Sequence, residues 1–373
     1  MSRRNPFRPT FGASPYFWAG RTLILHRFTD AIDGNPGDPN RSLIIDGARG
    51  IGKTVLLTEL EDIAAARGWI VLRATGRADM IATLVDSTIP SRIHELSPPP
   101  TRTVTAVTVG GLGRVDTELL DVPLPTPTLN SRLRELLGLL RGTGVLITVD
   151  EVQDADPEAL SRLATTYQDL IRDDQQVALV MAGLTHGINR LLDLPGTTFL
   201  RRARRFELGP LTDADALATL TATAADSGRP FDDSSAQSAV QLARGYPYLV
   251  QLVGYLAWDH TADGITDDDV TAISEEAIET MGAQVHAPSL KGVPAAQVAY
   301  LRAMADLMKP GETTVPSSDV AEAVGKKPNQ ATDTRGKLMD RGLIEAPAWG
   351  RVSFTLPYMA EHLRSQGRRT RVS

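Results

Sequence analysis

The stretch Gly47-Ala48-Arg49-Gly50-Ile51-Gly52-Lys53-Thr54 limits this chain to few folds. It fits G-x-x-x-x-G-K-[ST] at every fixed position. Glycines let a backbone wrap closely around phosphate and turn its N–H groups inward. Lys53 would add a cation for the β- and γ-phosphates, and Thr54 a hydroxyl for Mg2+. Gly47, Arg49, Gly50, Ile51, Gly52 and Val55 would complete the cradle. The flanks agree: residues 41–46 are a short apolar run that reads as a buried strand, and residues 55–63 have apolar positions at helical spacing. A helix starting there brings partial positive charge to the phosphates. Chance is a poor explanation. Only six of the 39 basic residues are Lys, so a random match is expected in roughly one such chain in a hundred.

At 373 residues the chain has room for two or three domains with well-filled cores. Its 42% hydrophobic and 23% charged residues are those of an ordinary soluble protein. No apolar run is long enough to span a bilayer, and Met1-Ser2-Arg3-Arg4-Asn5-Pro6 lacks the apolar stretch of a secretory signal. The absence of cysteine excludes disulfides and thiolate metal sites. A cytoplasmic chain with no membrane partner is expected. The formal charge of −6 argues against a binder of nucleic acid along its whole length but leaves room for a local basic patch. The six histidines (26, 94, 186, 260, 286 and 362) show no metal-ligand spacing.

Residues 1–20, rich in Pro, Gly and aromatics, read as an ordered arm. Residues 21–210 read as an α/β core with strands at 41–46, 69–74, 145–149, 176–182 and 205–208. Helices at 21–32, 55–63 and 78–96, and a leucine stripe over 129–140, fall around them. Strands alternating with helices predict a parallel, doubly wound sheet. Prolines at 98–100 and at 123, 125 and 127 bracket an alternating β-branched run, so 97–127 reads as a β-hairpin insertion. It would either extend the domain edge or touch a partner. From Thr212 the strands stop, and residues 211–290 read as a helical lid with caps such as Thr212-Asp213-Ala214-Asp215. Residues 291–373 read as three helices, a two-stranded wing and a last helix with the basic tail Arg368-Arg369-Thr370-Arg371. That order is a winged helix-turn-helix.

The strand at 145–149 ends in Asp150-Glu151. Asp150 would stand on the metal side, usually through water. Glu151 would orient, or take a proton from, the water attacking the γ-phosphate. The fourth strand ends near Thr185 and His186; Thr185 is the preferred group to touch the γ-phosphate, His186 the second. The densest cationic cluster is Arg201-Arg202-Ala203-Arg204-Arg205. An Arg there, Arg202 by preference, would stabilise charge on transferring phosphoryl oxygens. The other reading is a solvated face paired with carboxylates.

Residues 47–54 and 145–151, the Arg cluster, the helical lid and the winged helix together resemble AAA+ and STAND ATPases. In architecture they are similar to archaeal-type ATPases and origin-recognition initiators. Phe17-Trp18-Ala19-Gly20-Arg21 resembles the F-x-G-R box of those families, which packs near the adenine. The resemblance implies ATP and Mg2+ as ligands. It also implies a homo-oligomer in which the Arg of the cluster reaches a neighbouring subunit's nucleotide. Gly245-Tyr246-Pro247-Tyr248 resembles the STAND G-x-P motif, whose proline packs on base and ribose, and so makes Pro247 a nucleotide contact. The initiator branch carries an Arg near this point. Tyr248-Leu249-Val250-Gln251 has none, with Arg244 the nearest substitute. That departure implies a slow, switch-like ATPase. In the winged helix, Asn329, Gln330, Thr332, Arg335, Lys337, Trp349 and Arg351 would contact double-stranded DNA. Asp319, Asp333, Asp340 and Glu345 dilute that field, and the alternative is recruitment of a protein partner without DNA.

Overall fold

The computed structural model describes residues 4–10, 14–17, 19–98, 126–195, 197–225, 227–309 and 311–372. The segment expected to form a hairpin, 97–127, lies outside them except at its ends, as does Trp18. Helix α1 (Thr22–Asp33) precedes strand β1 (Ser42–Gly47). Helix α2 (Lys53–Ala66) leads to β2 (Ile70–Thr75). Then come α3 (Met80–Thr83), a π-helical turn at Leu84–Thr88, α4 (Ile89–Leu96), α5 (Leu129–Leu139) and β3 (Val145–Asp150). Helix α6 (Pro157–Arg172) joins β3 to β4 (Val177–Gly183), and α7 (Thr185–Leu192) leads on to β5 (Arg204–Leu208). The five strands are parallel, in the order β2-β3-β4-β1-β5. The chain leaves β1 for the far edge, fills inward and then crosses β1 to add β5. Such a reversal puts the ligand crevice at the carboxyl ends of the central strands.

Because both faces are covered, the strands are nearly continuous in apolar residues. Alternation still decides which face each one serves. Leu43 and Ile45 of β1, Leu146 of β3 and Val180 of β4 join the core beneath α1 and α2. Ile44, Val145, Ile147 and Leu179 join the core beneath α5 and α6. The start of α6 is fixed by sequence: Asp156 accepts the Ala159 N–H at 2.9 Å, and Pro157 follows where no donor is needed.

Four helices follow the sheet: α8 (Asp213–Ala225), α9 (Asp233–Ala243), α10 (Pro247–His260) and α11 (Asp267–Met281). A π-helical turn at Gly282–His286 and α12 (Ala287–Leu290) lead into the C-terminal unit. This unit runs α13 (Ala295–Leu307), β6 (Thr314–Pro316), α14 (Ser317–Ala323), α15 (Pro328–Asp340), β7 (Ile344–Glu345), β8 (Arg351–Phe354) and α16 (Met359–Val372). Its antiparallel sheet has three strands, β6-β8-β7, where the sequence led to two. The extra strand, Thr314-Val315-Pro316, is too short to show alternation, and its proline is tolerated because β6 is an edge.

These parts share one apolar core with the α1–α2 face of the sheet. The Tyr358 hydroxyl donates to the Leu242 carbonyl at 2.8 Å, and the Arg244 guanidinium lies 3.8 Å above the Tyr358 ring. Helix α15 packs on α7, where a Cβ at Gly342 would lie 4.0 Å from Leu184.

Candidate nucleotide site

The glycine loop closes on itself between β1 and α2. Gly47, Gly50 and Gly52 have φ of 151°, 73° and 94°, a region open to glycine at no steric cost. Space is as tight as torsion. A Cβ on Gly47 would stand 2.6 Å from the Leu208 carbonyl, and one on Gly50 would stand 1.9 Å from the Tyr246 hydroxyl. Lys53 is buried at the first position of α2, and its ammonium donates to the carbonyls of Gly47 (3.1 Å) and Ala48 (2.8 Å). Burial lowers its pKa, Glu151 and Asp150 draw it back up, and Arg49 opposes them. An ammonium desolvated in this way is well prepared to exchange loop carbonyls for phosphate oxygens.

Thr54 donates its hydroxyl proton to Asp150 Oδ2 at 2.7 Å, across 96 residues of sequence. Asp150 Oδ1 accepts the Glu151 N–H at 2.8 Å. Two hard oxygens on adjacent elements are the donor set a magnesium ion takes, so the residues present fit that cation. Glu151 has φ 53°, unusual for a residue with a side chain and worth about 1–3 kcal/mol of strain. A Cβ on Gly76 would be 2.2 Å from the Glu151 carbonyl, so Gly76 lets β2 approach this turn.

A cavity of about 570 Å³ opens beside the loop. The arm lines it through Arg8, Pro9, Thr10, Pro15 and Ala19, and Arg21 follows them. The core adds residues 49–55, Glu151 and Leu184; the four-helix part adds Tyr246, Pro247, Tyr248, Val250 and Gln251. The hinge before the C-terminal unit adds Gln284, Val285 and Pro288. The volume suits a nucleotide. Polar groups tie the walls together: Gln251 Oε1 accepts the Arg8 N–H at 3.0 Å, and Tyr248 donates to Gln284 Oε1 at 2.7 Å. Arg21 donates to the Gly209 carbonyl at 2.6 Å; burial lowers its pKa while Asp215 raises it.

Residues 18–180 match the AAA ATPase domain family. They form an AAA+ ATPase domain. Residues 283–363 match a family described as a domain of unknown function (DUF8462). Across the whole chain the protein is similar in structure to ORC2 of Aeropyrum pernix, solved as ADPNP–ADP complexes. That likeness has a TM-score of 0.61 at 14% identity and covers 98% of each chain. It is also similar to the Walker-type ATPase PABY2304 of Pyrococcus abyssi, with a TM-score of 0.64 at 16% identity over 92% of this chain and 95% of that one. No curated protein matches the sequence. The ligand of such a domain is ATP, with Mg2+ as its usual ion.

The AAA+ fold brings most of the expected residues together. Gly47, Arg49, Gly50, Ile51, Gly52, Lys53, Thr54, Val55, Asp150, Glu151 and Pro247 lie at the loop, at its metal side or on the cavity wall. Thr185 begins α7 beside them, half-buried, but Leu184 lines the cavity in its place. Among the arginines, Arg205 is committed inside the chain. It holds the fully buried Asp46 by two bonds of 2.9 and 2.7 Å, which raise its pKa. Arg201 bonds to the Leu192 carbonyl and Asp193. Arg202 is exposed just before β5, whose Arg204 pairs with Leu43 and whose Leu208 pairs with Gly47. That register puts Arg202 at the end of the sheet away from its own loop. Arg244 turns from the cavity toward Tyr358 and Glu361, so it does not replace the missing lid arginine.

Two residues went unread in the sequence. Tyr246 packs its hydroxyl into the space Gly50 leaves and donates to the Arg49 carbonyl at 2.8 Å. Gln153 donates to the Glu151 carboxylate and accepts the Leu184 N–H at 2.9 Å. The G-x-P pattern marks the position of Tyr246 without its chemistry, and nothing in the sequence singles out Gln153.

Proposed function

We propose that this chain is a slowly hydrolysing ATP switch whose nucleotide sets the position of the C-terminal unit. One observation carries the reading: a single cavity is walled by arm, phosphate loop, lid and the hinge to the C-terminal unit. A ligand filling it touches every moving part, and a ligand with differential contacts shifts the balance between arrangements.

In this reading residues 1–20 are the arm, 21–210 the ATPase core, 211–290 the lid and 291–373 a winged-helix domain. The loop amides and Lys53 hold the phosphates. Thr54 and Asp150 hold Mg2+, which supplies charge neutralisation at the β- and γ-phosphates when bound. Glu151 orients the attacking water and takes its proton. Thr185 stands at the γ-phosphate end. Pro247 packs on base and ribose. Arg202 acts only on the nucleotide of an adjoining copy in a homo-oligomer, as the register of β5 supports.

We further propose double-stranded DNA as the partner of the C-terminal unit, in replication, transposition or genome defence. Charge supports this. Residues 291–373 hold thirteen Lys and Arg against eight Asp and Glu, a net of +5, while residues 1–290 carry −11. Five of the six lysines lie in this part, and Asn329, Gln330, Thr332 and Lys337 are exposed on α15. The ORC2 likeness agrees in fold. The second reading, a signalling switch that recruits protein, is favoured by pairing on that surface. Asp333 holds Lys337 at 2.8 Å, and Arg351 is tied to Thr314, while Trp349 is fully exposed at the wing. Fluorescence anisotropy with duplex DNA separates the two. The DNA reading expects binding in ATP that weakens steeply with salt; no binding at low salt contradicts it and leaves the protein-partner reading.

A further inference from the structure

We infer that Gln153 is a positioning residue for ATP hydrolysis, one that sets Glu151 and ties it to the turn between β4 and α7. The inference rests on the role proposed above for Glu151.

The side chain sits two residues past Glu151, in the short 3-10 turn Val152–Asp154. It uses both ends of its amide. The Nε2 group donates to Glu151 Oε2, and Oε1 accepts the Leu184 N–H at 2.9 Å. A neutral amide suits this double use. A carboxylate has no proton for Glu151, and an ammonium has no acceptor for the Leu184 amide. The carboxylate of Glu151 is thereby held from one side, on a backbone already in the left-handed region at φ 53°.

The slot for Gln153 is left by two glycines, Gly183 at the end of β4 and Gly187 in α7. A Cβ on Gly187 would lie 2.3 Å from Gln153 Cβ, and one on Gly183 would lie 3.0 Å from Gln153 Oε1. Neither glycine has a positive φ, so backbone torsion does not explain them. They leave room for Gln153. Leu184, whose amide it holds, lines the nucleotide cavity and lies against Gly342 at the end of α15. The hydrogen-bonded path Glu151–Gln153–Leu184 therefore runs from the attacking-water side of the site to the surface on which the C-terminal unit rests. Displacing α15 from α7 shifts the Leu184 turn, and through Gln153 the carboxylate, without altering the loop that binds phosphate.

The test compares Gln153→Met, Gln153→Glu and Glu151→Gln in the full chain. Gln153→Met keeps size and removes both bonds. Gln153→Glu keeps an acceptor for Leu184 and sets a second carboxylate against Glu151. Each Gln153 variant is expected to bind Mg·ATP within about twofold of wild type and to lower turnover about 10- to 100-fold, the scale of one bond to a charged group. The double variant Gln153→Met/Glu151→Gln is expected to turn over no slower than Glu151→Gln alone, because the two residues act as a unit. Wild-type turnover in both Gln153 variants overturns the inference, as does an additive loss in the double variant. If Glu151→Gln itself hydrolyses at the wild-type rate, the assignment of Glu151 fails instead. Should Gln153→Met fold poorly, Gln153→Glu, which keeps the shape and the Leu184 bond, gives the answer alone.

Discussion

Asp46 is the last residue but one of β1, with no exposure to solvent, directly ahead of the phosphate loop, and the two bonds from Arg205 keep it there. Removing one partner of a buried pair leaves an uncompensated charge, at about 3–5 kcal/mol when both are interior. The Arg205 side chain is 34% exposed, so a smaller loss is expected. Arg205→Met should cost about 2 kcal/mol in denaturant unfolding, and an unchanged midpoint would show the pair to be idle. At the loop, Gly50→Ala must place a methyl where the Tyr246 hydroxyl sits and must also hold φ 73°. Calorimetric titration should show ATP affinity reduced about 5- to 150-fold, as strain of about 1–3 kcal/mol implies. Tyr246→Phe, which loses only the bond to the Arg49 carbonyl, should be milder. Most of the site was legible at this scale, since spacing and residue type identify Lys53, Thr54, Asp150 and Glu151. Gln153 and Tyr246 were not. Their roles come from contacts across 31 and 197 residues, which no local pattern encodes.

The strands were legible because each is an apolar run bounded by turns, and their alternation with helices required parallel pairing. The order β2-β3-β4-β1-β5 was not, because sequence order does not say on which side of β1 the last strand lands. That placement matters for Arg202. With β5 beside β1 in parallel, Arg202 lies at the end of the sheet opposite its own phosphate loop. Arg202→Ala should leave ATP affinity unchanged and abolish any rise of specific activity with protein concentration. If its turnover is lower than wild type at concentrations where the protein is a monomer, action in trans is wrong. The third small strand escaped notice for a different reason: three residues carry no periodicity. The helices after the sheet were easier, since caps such as Thr212, whose hydroxyl accepts the Asp215 N–H at 3.1 Å, mark their starts.

The four helices after the sheet lead into the C-terminal unit through the π-helical turn Gly282–His286. His286 is fully buried there, its ring centroid 5.3 Å from that of His362, two positions past the cavity residue Gln284. Burial first, and the charge of His362 second, lower its pKa to about 4. The folded state therefore holds the neutral ring, while the unfolded chain takes up a proton below about pH 6.5. Stability is full above that pH and falls as pH drops toward 4, by about 3 kcal/mol at the lower end. Thermal melts at pH 7 and pH 5 should show a larger drop for wild type than for His286→Leu; equal drops would mean the ring already titrates freely. No helix among the described residues is long and apolar enough to cross a membrane. The proposed function requires that one site bind Mg·ATP and hydrolyse it slowly. The direct test is a single-turnover assay with γ-labelled ATP, reading bound ATP and released phosphate together in wild type and Lys53→Ala. Wild type is expected to retain ATP and release phosphate slowly, and Lys53→Ala to retain none. Tight ATP retention by Lys53→Ala, or retention without phosphate release by wild type, would contradict the proposed function.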